Sequence, residues 1–208
     1  MGRGGHGGAG GGAGHSHSVE YPDDSWNLYQ HVDRAEALNA QDGADAARVL
    51  RPFVRRLDGD GSFASDGDEE LLVKVTFLAP VALRRLMVIG SGDPESHPSH
   101  VKVYVNRENL DFQSLEDIRP AFESALPPNA PGEAYVNLHP PHAFASVTNV
   151  ALFFDANHGG ADETALQYVG MQGDHSHDKR EAVNATYELL CQGHGTTAEA
   201  DFKMQEGL

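Results

Sequence analysis

The chain contains one cysteine, Cys191. No intramolecular disulfide can form, and neither a CxxC redox pair nor a cysteine-based structural zinc site is available. Such usage fits a reducing compartment, the cytoplasm, with the nucleus as a second location. Basic residues are scarce too, with 15 Lys and Arg against 31 Asp and Glu and a formal net charge of −16. That balance repels phosphate backbones and anionic lipid, which argues against partnership with nucleic acid or a membrane surface. No apolar run approaches the roughly 18 residues that a membrane span requires. The first residues are Gly and His rather than the apolar stretch of a secretion signal, so the sequon Asn184-Ala185-Thr186 carries no expectation of glycosylation. GxSxG, HExxH and a lysine-bearing phosphate loop are all missing. No spacing assembles a nucleophile, a base and an orienting group, and the reading is of a non-enzyme without cofactor or bound metal.

What is present is enough apolar material, 39% of residues, to bury one sizeable core. Met1 to His17 is almost entirely Gly, Ala, His and Ser, a composition that cannot offset the entropy of ordering. Residues 1–18 are therefore expected to be a disordered tail, 19–190 one domain, and 191–208 a C-terminal tail. Leu28, Val32 and Ala35 have helical spacing, and Ala44 to Leu50 reads as a short helix stopped before Pro52. From Leu71 onward, short β-branched and apolar runs recur between turn-forming clusters. Strands are expected at Leu71–Leu78, Val81–Ile89, Val101–Val105, Ala134–Leu138, Asn149–Phe154, Ala165–Met171 and Ala182–Leu190. Ala79-Pro80, Gly90 to Pro94, Pro127 to Asn129 and Asn157 to Gly160 supply the breaks. Val101, Val103 and Val105 alternate onto one buried face, whereas Leu86-Met87-Val88-Ile89 is continuous and predicts cover on both faces. About seven or eight strands without long intervening helices indicate an all-β chain, an antiparallel jelly-roll-like sandwich. A monomer is the expected state.

Three ordered pieces of the chain carry a further signal. Ser65-Asp66-Gly67-Asp68-Glu69-Glu70-Leu71-Leu72 runs into Val75-Thr76-Phe77. Ser96-His97-Pro98-Ser99 precedes Val103-Tyr104-Val105-Asn106, and Asn149-Val150 is followed by Asn157, Gly160, Thr164, Tyr168-Val169-Gly170 and Gly173. Upstream stand Leu28-Tyr29, Asp33, Leu38-Asn39 and Arg51-Pro52-Phe53. In these residues the chain resembles the PITH domain, which occurs as the C-terminal half of proteasome-associated thioredoxin-like proteins and as a stand-alone protein. The resemblance spans roughly Leu28 to Tyr187 and is of the stand-alone type. It implies a jelly-roll sandwich and association with the proteasome regulatory particle, with no redox activity carried over. Met171 to Asp174 and Leu189 to Leu208 depart from the family pattern.

The acidic stretch Asp58 to Glu69 places oxygen donors at the spacing of a calcium loop, but Phe63 stands where an EF-hand needs glycine. A solvated turn is the default reading, with a looser calcium site left open. Within it, Asp66, Asp68 and Glu69 are the candidate partner-binding residues, a charged edge for a basic partner. His15-Ser16-His17 and Asp174-His175-Ser176-His177-Asp178 offer paired imidazoles but too few ligands for structural zinc. Cys191 reads as a small buried hydrophobe, and Tyr21, Trp26 and Tyr29 read as a cover packed on the sandwich. The function that follows is a non-catalytic interaction domain; an adaptor or structural subunit of another large assembly, and a sugar- or calcium-binding jelly roll, stay open beside it.

Overall fold

The computed structural model describes residues 25–175. The strands are β1 Val32–Leu38, β2 Phe63–Ala64, β3 Leu71–Gly90, β4 His100–Val105, β5 Phe122–Ala125, β6 Val136–Asn137, β7 Val147–Phe154 and β8 Ala165–His175. One short α-helix, α1 Phe112–Asp117, joins β4 to β5. Every strand pairing is antiparallel.

The organising element is β3, 20 residues long, where a break at Ala79-Pro80 is expected between two strands. Proline has no N–H to give a ladder, but the chain needs only to bend there, because β3 changes neighbours at that point. Its first half lies between β1 and β7, with Val75 opposite both Ala35 and Val150. Its second half lies between β8 and β6, with Leu86 opposite Met171 and Val136. One strand thus serves two layers, β1-β3-β7-β4-β5 and β2-β8-β3-β6, and its bend is the corner of the sandwich.

A second irregularity keeps the core continuous. Before it, Leu71, Val73, Val75, Phe77, Val81 and Leu83 enter the main core; after it, Leu86 and Val88 do. The inward parity changes because the register slips between Leu83 and Arg85, a bulge against β8. In a period-two strand one inserted residue exchanges the faces, and without it Leu86 and Val88 would point away from the core. The exchanged face is filled as well: Met87 and Ile89 pack with Trp26, Phe53 and Tyr168. The continuous run Leu86 to Ile89 is buried on both faces, as its composition predicts.

Val32 and Ala35 lie on a strand rather than on a helix. Leu28–His31 forms one 3-10 turn and the chain then extends to satisfy the free edge of β3, so pairing overrides local spacing. The expected helix at Ala44 to Leu50 is a 3-10 turn over Ala46–Val49, capped by the Asp45 carboxylate, which accepts from the Ala47 N–H at 2.9 Å. The strand expected at Ala134–Leu138 shortens to Val136–Asn137. Val101 and Val103 are buried as expected, while Val105 at the strand end is half-buried. Trp26 is buried with its ring stacked on Phe53 at 6.0 Å, which is the covering role read for it. No helix among the described residues is long and apolar enough to cross a membrane. The two tails, Tyr21, His15, His17, the strand expected at Ala182–Leu190 and Cys191 lie outside the described residues.

Candidate partner-binding surface

The acidic run is positioned by three elements that meet at one end of the sandwich. β1 ends at Leu38, and Asn39 follows in the left-handed region with φ of 60°. From there its amide Nδ2 donates to the Asp68 carboxylate at 2.7 Å and to the Glu70 carbonyl at 2.6 Å, while its own carbonyl accepts from the Asp66 N–H at 2.9 Å. Ser65 works from the opposite side. Fully buried, it donates its N–H to the Thr164 carbonyl, and its hydroxyl accepts from the Thr164 N–H at 2.8 Å while donating to the Asp68 carbonyl at 2.5 Å. The Asp68 carboxylate also accepts from the Glu70 N–H at 3.1 Å, closing an Asx turn. Gly67, with φ of 91°, supplies a conformation in which a Cβ is strained.

This frame holds Asp66, Asp68 and Glu69 exposed, the three carboxylates expected from the sequence to form one charged edge. Their positions differ in kind. Asp68 is tied into the turn, whereas no hydrogen bond to the side chain of Asp66 or Glu69 is found among the described residues. Glu70, half-buried behind them, has its carboxyl pushed up by burial and then by the negative charges of Asp68, Glu69 and Asp155.

Asp155, just past the end of β7, anchors the adjoining sheet surface. Lys102 Nζ lies 2.6 Å and His100 Nδ1 2.7 Å from its two oxygens. Burial raises the Asp155 carboxyl, but the hydrogen bonds from Lys102 and His100 together outweigh burial and hold it below the usual carboxylate range. The Lys102 ammonium is raised, first by its hydrogen bond to Asp155. Asp155 is thus compensated, whereas the carboxylates of residues 66–70 have no cationic partner within ion-pair distance among the described residues.

The other half of the acidic stretch is structural. Arg51, 7% exposed, donates to the backbone carbonyls of Asp58 at 2.5 Å and Gln167 at 2.7 Å, and also to that of Asp60. Arg55 then takes the carboxylates of Asp58 at 2.8 Å and Asp60 at 3.0 Å. With those two carboxylates turned to a guanidinium, the donors from Asp58 to Glu69 do not converge as in a calcium loop, and no group of three or more potential ligands capable of holding a metal occurs among the described residues. In the second histidine cluster, Asp174 pairs with Arg84, and the His175 ring stacks on His31 with centroids 3.9 Å apart. His177 and Asp178 lie outside the described residues.

The family model of the PITH domain matches residues 18–190. Among curated relatives, PITH domain-containing protein CG6153 of Drosophila melanogaster is 32% identical over 152 residues, covering 72% of this chain and 70% of the fly protein. PITH domain-containing protein 1 of Danio rerio is 26% identical over 183 residues, covering 86% and 82%. Two solved structures of sugar-binding modules from Clostridium perfringens share the fold. The CBM32-1 and CBM32-2 domains of ZmpB in complex with GalNAc superpose with a TM-score of 0.52 at 8% identity, covering 71% of this chain and 35% of theirs. CpGH89CBM32-5 in complex with GalNAc-β-1,3-galactose superposes with a TM-score of 0.50 at 11% identity, covering 70% and 98%. At such identities the likeness establishes a jelly-roll architecture and nothing about ligands.

Proposed function

The chain belongs to the PITH domain family, and from that premise we propose that it is a non-catalytic protein-interaction domain that associates with the proteasome regulatory particle. The observation that carries the reading is the exposure of Asp66, Asp68 and Glu69 on a turn whose backbone is fixed by Asn39 and buried Ser65. A pre-ordered acidic edge loses little conformational entropy on docking, and its field favours a basic segment of the partner. Lys102 pairs with Asp155 beside it, so the charge of this edge is carried by the turn itself. Names of the relatives describe a domain and no reaction, which is compatible with a binding role.

The test is affinity purification of the tagged protein from its native cells, with quantitative mass spectrometry of what co-purifies. Regulatory-particle subunits should be enriched, and a double substitution Asp66→Asn with Glu69→Gln should reduce their recovery several-fold, since neither side chain supports the turn. Asp68 is left unchanged because its carboxylate closes the turn. Enrichment of a different assembly through the same two residues would transfer the role to an adaptor of that assembly. Recovery that is unchanged in the double variant would remove the acidic edge from the interface.

A further inference from the structure

The outer face of the β1-β3-β7 layer is only partly covered. Over one half of it α1 and Leu110 pack against Leu72, Tyr104, Ala151 and Phe153, with Leu115 and Leu110 buried in the contact. Over the other half the face stays open as a groove of about 350 Å³, lined among others by Arg34 and Glu36 from β1, Lys74 and Thr76 from β3, Asn149 from β7, and Arg107 beyond β4. Lys74 and Thr76 alternate with the core residues Val73 and Val75, so the groove floor is the solvent side of the sheet.

The charges here run against the rest of the molecule. Glu36 is shared by two cations, Arg34 and Lys74, the latter at 3.0 Å, and the Asp111 carboxylate at the cap of α1 also lies within the field of Lys74. Arg107 is the third cation of the groove, and its guanidinium has no hydrogen bond or ion pair among the described residues. Glu108, also lining the groove, is the one opposing charge beside it. Three cations against two carboxylates thus line the groove, in a chain of net charge −16.

Arg107 is also held in place. Asn106 adopts φ of 56° and its carboxamide oxygen accepts from the Thr148 N–H at 2.8 Å, while its Nδ2 donates to the Ser146 carbonyl at 2.9 Å. The Arg107 N–H donates to Asn149 Oδ1 at 2.7 Å. The corner presenting the guanidinium is therefore fixed before any ligand arrives, which lowers the cost of binding.

We propose that this groove binds an extended peptide segment bearing acidic side chains, with carboxylates meeting Arg107 on one side and the Arg34 and Lys74 pair on the other. A nucleic acid fits poorly, because a long polyanion meets the field of the whole acidic chain, whereas a short segment with a few carboxylates samples mainly the groove. The surface is separate from the acidic turn and takes a ligand of opposite charge.

The test is fluorescence anisotropy of a short labelled Glu/Asp peptide titrated with the full chain at low and at physiological salt. Saturable binding that weakens as salt rises is expected. Arg107→Ala should weaken it about five-fold, and Glu108→Gln should strengthen it by roughly two-fold, both within the range of exposed charge pairs. Unchanged thermal melts for the two variants show that the fold is intact. Absence of saturable binding overturns the proposal, as does equal affinity of both variants and the wild type. A single-stranded oligonucleotide binding more tightly than the peptide, or inorganic phosphate displacing it at equal concentration, would also overturn the assignment to an acidic peptide.

Discussion

Asn39 donates its side-chain amide to the Asp68 carboxylate at 2.7 Å across 29 residues of sequence, joining the end of β1 to the turn that enters β3. The same amide reaches the Glu70 carbonyl, so one side chain sets the geometry of the acidic edge. Replacing it with alanine removes both hydrogen bonds and places a Cβ residue without a stabilising amide in the left-handed region. Asn39→Ala is expected to cost about 2–3 kcal/mol in urea unfolding, and Asn39→Gly somewhat less because glycine keeps the backbone conformation. Equal losses for the two variants would show that the backbone conformation contributes nothing.

Arg51 makes a comparable link on the other side of β2. It satisfies backbone carbonyls of Asp58, Asp60 and Gln167 from a buried position. Arg51→Met preserves the apolar stem but leaves those acceptors without their donor, and roughly 2–4 kcal/mol of stability should be lost. Arg51→Lys should recover only part of it, because one ammonium cannot span three divergent carbonyls. Denaturant titration of the two variants measures the difference.

Gly173 has no left-handed backbone, yet a side chain cannot be added there. A Cβ would lie 1.9 Å from the Ala82 carbonyl oxygen, which is backbone within the β3–β8 ladder. Gly173→Ala should therefore separate the two strands locally and destabilise by about 3 kcal/mol or more. Loss of amide protection along Val81 to Leu83 in hydrogen exchange is the expected signature, and a fully protected ladder would contradict it.

Much of the sandwich was legible in the sequence because strands from Leu71 onward combine β-branched runs with turn residues. β1 was not: Leu28, Val32 and Ala35 have helical spacing, Val32 and Ala35 share the core face of a strand only through the bulge between Val32 and Arg34, and the open edge of β3, contributed by residues about forty positions later, imposes that pairing. The unity of β3 was hidden by Pro80, whose missing donor falls at the corner where the strand changes partners. For the acidic edge, residue types pointed to Asp66, Asp68 and Glu69, but the groups that hold it, the Asn39 and Ser65 side chains and the Thr164 backbone, come from three separate segments and carry no local pattern. The same distance in sequence concealed the Asp155 pairing with Lys102 and His100.

Two neighbouring carboxylates should make the pH dependence of stability run in opposite directions. Asp155 is held below its ordinary range by Lys102 and His100, against the effect of burial, so its ionised form is favoured by folding. Its contribution is present above the pKa of the unfolded chain and is lost as pH falls through the folded value. Glu70 is raised, first by burial and then by Asp68, Glu69 and Asp155, so its protonated form is favoured by folding. Its contribution is full below the unfolded pKa and is lost as pH rises through the folded value. At neutral pH, then, Asp155→Asn should destabilise the domain and Glu70→Gln should stabilise it, and both differences from wild type should shrink when unfolding is measured in acid. A Glu70→Gln variant less stable than wild type at neutral pH would mean that the carboxylate gains more from its surroundings than burial and the three neighbouring negative charges remove.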